Sequence, residues 1–71
     1  MDTNKKVALK AHQQRVVKEK AELDGKIERL QAFLDSDRAD TVDPMERTDM
    51  ILQLSVMRQY FGILSNRIRR F

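Results

Sequence analysis

Two apolar stripes run along the second half of the chain, on what the spacing predicts to be a single helix. The first stripe advances in alternating steps of four and three residues: Met50, Leu54, Met57, Phe61, Leu64, Ile68 and Phe71. The second stripe consists of Met45, Leu52, Val56 and Ile63, flanked by Tyr60. At about 100° per residue the two stripes lie on roughly opposite sides of the helix. A neighbouring helix of the same chain can cover only one of them, so the other stripe predicts a second chain or another partner.

We assign the first stripe to packing within the chain, with Leu54 and Phe61 as internal positions. The second stripe is then the predicted oligomer interface, and its residues are Met45, Leu52, Val56, Tyr60 and Ile63. The exchanged assignment, with the second stripe facing inward, is the alternative.

The first half of the chain predicts another helix, from about residue 4 to residue 34. Its apolar spine also advances in steps of three, four and seven: Leu9, Val16, Leu23, Ile27, Leu30 and Leu34. Most of its other residues are Lys, Glu, Gln and Ala, which are good helix formers. Lys20 falls at a core heptad position, where a polar residue either selects a register or extends its stem to solvent. We expect the second.

A polar connector over residues 35–43 separates the two helices. Asp43 can cap the second helix, Pro44 suits its first position, and Glu46 follows three residues after the cap, so that helix should span about residues 44–70. A short connector makes the helices antiparallel neighbours. The predicted fold class is all-α: one helical-hairpin domain over residues 1–71, which assembles as a homo-oligomer, first of all as a dimeric four-helix bundle.

The composition limits how such a chain can be stabilised and what it can bind. With 71 residues, no Cys and one His, it has no disulfide, and a protein-only zinc site is not expected. A lone two-helix core is marginal, which leaves oligomerisation as the source of stability. No signal peptide and no stretch of 18 apolar residues occurs, so we expect a soluble, cytoplasmic protein that does not bind a membrane.

Charge is segregated along the chain. Residues 35–49 hold six acidic side chains against two arginines, whereas residues 58–71 hold four arginines and no acidic side chain. A hairpin brings the lysine-rich N-terminal segment and these arginines to the same open end. We interpret the N-terminal basic cluster first as ordinary solvated charge, and the alternative is that it contacts an anionic ligand, nucleic acid or an acidic partner surface. The candidate binding residues are His12, Arg15, Lys18, Arg67, Arg69 and Arg70.

The sequence lacks a pattern typical of catalysis. No nucleophile, base and orienting group occur at convergent positions, so we expect neither an enzyme nor a cofactor. We interpret His12 as a packing or hydrogen-bonding residue. Motifs typical of nucleic-acid binding, such as a recognition helix or a zinc finger, are also missing.

The run His-Gln-Gln-Arg-Val-Val at residues 12–17, followed by Glu-Leu-Asp at 22–24, resembles a family of small bacteriophage and prophage proteins. The family includes crAssphage-related hypothetical proteins of unknown function. The likeness covers about residues 12–71, and this sequence departs from it in the connector and in the arginine-rich end. The resemblance implies a phage accessory protein made in the cytoplasm of a bacterial host. It assigns no role to any residue.

Three functions follow as expectations. The first is a non-enzymatic phage accessory protein that oligomerises and binds a host bacterial protein, thereby modulating host growth or defence. The second is sequestration of an anionic nucleotide ligand between protomers. The third is nucleic-acid binding by a helical dimer, which would show strong salt dependence.

Overall fold

The computed structural model describes residues 9–71, which form two long helices joined by a short 3₁₀ helix. Helix α1 spans Ala11–Leu34, the 3₁₀ helix spans Asp37–Thr41, and helix α2 spans Pro44–Arg69. The two long helices pack against each other. Tyr60 contacts Glu19 near the open end, and Arg58 contacts Gln31 nearer the turn, so the helices are antiparallel. The predicted all-α hairpin is confirmed for these residues, while its assembly into an oligomer stays a prediction.

The start of α1 differs from the prediction. Leu9 and Lys10 precede the helix instead of belonging to it. The part of the predicted helix before them, from about residue 4, lies outside the described residues. The Lys10 N–H donates to Oε1 of Gln13 at 2.9 Å, and Nε2 of Gln14 donates to the Leu9 carbonyl at 2.9 Å. These side chains satisfy backbone groups that another helical turn would satisfy. Residues 9 and 10 were therefore wrongly placed in the helix.

The start of α2 agrees with its prediction. The Asp43 carboxylate accepts hydrogen bonds from the Met45 N–H at 3.0 Å and from the Glu46 N–H at 3.3 Å, and Pro44 takes the first helical position. The connector is more ordered than the sequence suggested, because it contains the 3₁₀ helix. Ala39 of that helix is buried against the hairpin.

The hydrophobic core lies between α1 and α2. Its buried side chains are Val16, Leu23 and Ile27 from α1 and Leu54 and Leu64 from α2. Partly buried side chains pack around them: Leu30, Leu34, Met57, Phe61 and Ile68. Five of the seven residues of the first apolar stripe therefore face α1, as predicted, whereas Phe71 is exposed. Nζ of Lys20 lies 5.0 Å from the centre of the Phe61 ring, so this seam lysine runs along the core and carries its charge to the edge.

Candidate functional site

The second apolar stripe forms an exposed face of α2, which we call the outer face: Met45, Leu52, Val56 and Ile63. These side chains are 79%, 59%, 62% and 55% exposed, respectively. Tyr60, the fifth residue of the predicted interface, lies at the edge of this face and is 39% exposed. Large apolar side chains gathered on one surface are typical of an interaction site.

The predicted basic cluster is exposed throughout, but the structure does not gather its six residues on one surface. Lys18 lies on the side of α1 that faces away from α2, because it is rotated by about 200° around the helix axis from the buried Val16. Arg69 lies about 200° around α2 from Arg67, whereas Arg70, which follows the last residue of the helix, lies only about 60° from Arg67, towards the outer face. The end of the hairpin is basic as a whole, yet the rotation of each helix separates Lys18 and Arg69 from the rest and turns Arg70 away from α1.

Three of the six basic residues share one flank of the hairpin. On α1, His12 and Arg15 precede Glu19 by two turns and one turn on the same side of the helix. On α2, Arg67 follows Tyr60 by two turns on the side that faces Glu19. We call His12, Arg15, Tyr60 and Arg67 the basic flank.

A hydrogen bond across the helix pair holds the basic flank together. The Tyr60 hydroxyl donates to the Glu19 carboxylate. This bond raises the pKa of Tyr60 above its ordinary value, with desolvation and the negative charge of Glu19 acting in the same direction, while Arg67 lowers it. Sequence reasoning missed Glu19, because no pattern within one helix shows which residue of the other helix stands opposite Tyr60.

Sequence reasoning also missed a second surface near the turn. Ile51 belongs to neither stripe and is 51% exposed. It borders a shallow cavity of about 330 Å³ between the 3₁₀ helix and the first turns of α2, together with Ala39, Val42 and Arg47. An apolar residue that fits neither stripe was the signal that could have revealed it.

Residues 9–71 meet the requirements of neither a metal site nor a membrane-spanning helix. No group of three or more His, Asp or Glu side chains lies close enough there to hold a metal ion. No helix among these residues is long and apolar enough to cross a membrane.

The contact between Tyr60 and Glu19 predicts an altered titration. Tyr60 is the only tyrosine, and the chain has no tryptophan, so phenolate absorbance reports on it alone. We expect its pKa to lie above the ordinary value of about 10 and to fall towards that value in Glu19→Gln. Because the folded chain favours the neutral phenol, this contribution to stability is present below about pH 10 and lost as the pH rises further. An identical pKa in the variant would contradict the contact.

The chain is similar to a known protein family. A family model described as Sequestin matches residues 10–70, a range that includes α1, the 3₁₀ helix and α2. No curated protein and no solved structure matches the chain.

Proposed function

We propose that this chain, which belongs to the Sequestin family, works by sequestration: it binds an anionic, nucleotide-like small molecule and withholds it without changing it chemically. The name of the family supports the holding of a ligand. The observation that carries the choice of ligand is the basic flank, where an aromatic ring lies among cations. Arg15 and Arg67 can form charge-assisted hydrogen bonds to phosphate oxygens. The ring of Tyr60 offers a surface on which a base can stack.

Glu19 supports this role by orienting Tyr60. Its carboxylate accepts the hydrogen bond of the Tyr60 hydroxyl, so the ring is tied to α1 at one end. The exposed part of the ring then remains for a ligand. A ring held in place before binding loses less conformational freedom when the ligand arrives.

The ligand is best enclosed between protomers. Small-molecule sites bury most of the ligand surface. A single layer of two helices has no interior space that could enclose a ligand. The cavities along the hairpin are shallow, among them cavities of about 250 Å³ and about 480 Å³ on α2. A second wall over the basic flank would supply the enclosure that one hairpin lacks.

A second candidate is favoured by the outer face of α2. An exposed apolar helix face can dock on a protein, which suits the expected phage accessory protein that binds a host bacterial protein and modulates host growth or defence. Phage origin and cytoplasmic location rest on the resemblance of residues 12–71 and are part of this proposal. The two candidates use different surfaces of the hairpin, so variants can separate them.

The test of sequestration is calorimetric titration of the purified protein with linear and cyclic mono- and dinucleotides. We expect one of them to bind and to be recovered unchanged. Replacing both Arg15 and Arg67 by Glu removes two charge-assisted contacts, each of about 1.5–3 kcal/mol, so affinity should fall by about 100-fold or more. The matched control is Lys18→Glu with Arg29→Glu, which makes the same change in charge on the far side of α1 and should lower affinity only slightly.

Three outcomes would overturn the proposal. Equal losses in both double variants would mean that diffuse charge attracts the ligand. Recovery of a cleaved nucleotide would indicate catalysis. If no nucleotide binds and a single host protein is retained by the wild type at low salt, the second candidate is correct.

A further inference from the structure

We infer that the outer face of α2 binds a second copy of this chain in antiparallel orientation, about a twofold axis level with Leu54. Met45, Leu52, Val56 and Ile63 are spaced by seven, four and seven residues. This spacing reads the same in both directions along the helix. In an antiparallel pair centred at Leu54, Met45 faces Ile63 of the partner and Leu52 faces Val56 of the partner. The twofold axis repeats both contacts.

The apolar contacts select this register over its neighbour. If the pair slides by one heptad in one direction, Leu52 faces Ile63 of the partner, but Met45 then faces an arginine and Val56 faces Gln59. A slide in the other direction sets Met45 against Val56 of the partner, but Leu52 then faces Asp49. Only the register centred at Leu54 brings all four exposed apolar residues together, and so removes the largest apolar area from water. In that register Asp49 faces Gln59 of the partner, whose amide can donate to the carboxylate.

The charges select the antiparallel direction. The turn end holds Asp35, Asp37, Asp40 and Asp43, and the opposite end of α2 holds Arg67, Arg69 and Arg70. An antiparallel pair places each acidic turn beside the arginine end of the partner. A parallel pair would bury the same apolar side chains, but it would set Asp49 against its own copy and bring like-charged ends together, which is destabilising.

The symmetry of the spacing favours a second copy as the occupant. A different protein docking on this face would impose no palindromic spacing on it. Self-association through a twofold axis requires each residue and its contact to exchange roles, which is the relation between Met45 and Ile63 and between Leu52 and Val56. A second copy also supplies the core that a lone hairpin of this length lacks.

The pairing has a consequence for the basic flank. The face of α2 that packs on α1, which we call the inner face, is roughly opposite the outer face, but the angle between them is about 140° and not 180°. Both α1 helices therefore lie on the same side of the α2 pair. Tyr60 and Arg67 of each protomer fall within this angle, on the concave side of the dimer. The use of this concavity by a ligand rests on the proposed function, whereas the pairing itself does not.

Cysteine cross-linking tests the direction and the register, because the chain has no Cys of its own. Met45→Cys and Ile63→Cys replace exposed residues, and the two positions lie about 27 Å apart along one helix, so they cannot link within a chain. We expect a mixture of the two variants to give a disulfide-linked dimer on mild oxidation, and either variant alone to give almost none. The control mixture, Ala32→Cys with Ile63→Cys, should not link, because Ala32 lies on the outside of α1.

Opposite results would overturn the inference. Efficient linking of Met45→Cys with itself would indicate a parallel pair. A wild-type protein that sediments as an 8.4 kDa monomer at micromolar concentration would exclude the dimer altogether. Circular dichroism of each variant shows that it remains folded. A monomer that still binds a nucleotide would refute the pairing and leave the proposed function standing.

Discussion

Truncation of Leu64 to Ala is expected to lower the free energy of unfolding by about 2–5 kcal/mol, enough to unfold much of a chain this small. Leu64 is completely buried between the helices, at 0% exposure. Its loss leaves a cavity in a core that has few other buried residues to close around it. Urea denaturation followed by circular dichroism measures the change.

The matched control for Leu64 is Leu52→Ala on the outer face of α2. Leu52 is 59% exposed in the hairpin, so its truncation should weaken association rather than the hairpin itself. The decrease in the free energy of unfolding of the control should therefore depend on protein concentration, whereas the decrease for Leu64→Ala should be present at every concentration. Equal and concentration-independent losses in both variants would mean that the two stripes are not distinct surfaces.

Replacement of Val56 and Ile63 by Glu is expected to dissociate the protein into monomers. Both side chains project from the outer face, where an antiparallel partner would enclose them, and an unpaired carboxylate there loses its hydration. The inner face keeps its contacts with α1. Helix content should therefore fall less than the fraction of oligomeric protein does. Analytical ultracentrifugation and circular dichroism of the same sample measure the two quantities.

The control for this double variant is Ala21→Glu with Ala32→Glu, which adds the same charge at exposed positions of α1. Its sedimentation should match that of the wild type. If the Val56 and Ile63 variant also keeps the wild-type mass, the outer face is not the interface, and the cavity bordered by Ile51 becomes the next surface to examine.

The helical hairpin could be predicted because its determinants are local. The three-and-four spacing of apolar residues in each half identifies two amphipathic helices, and the Asp43–Pro44 pair marks the start of α2 within the sequence itself. The start of α1 could not be predicted in the same way. There the N-cap position is taken by Lys10, which is not a usual N-cap residue, and the side chains of Gln13 and Gln14 form hydrogen bonds with the backbone of Lys10 and Leu9.

The same distinction between local and tertiary determinants applies to the candidate sites. The apolar interface residues on α2 could be grouped from the sequence, because the angle between two residues of one helix depends only on their separation. The basic cluster could not, since its members come from both helices. Summing charge at one end of a hairpin counts Lys18 and Arg69, although helix rotation directs them to other sides, and it counts Arg70, which lies nearer the outer face.

The sequence by itself determined that this protein has two helices, where α2 begins, and that α2 carries two apolar faces. Only the tertiary structure decided that the face containing Leu54 and Leu64 packs on α1, and that Tyr60 meets Glu19 across the hairpin. The physical reason is that helical periodicity follows from backbone geometry within one segment. The axial register and the facing sides of two helices depend instead on how their side chains fill the space between them, which no single segment contains.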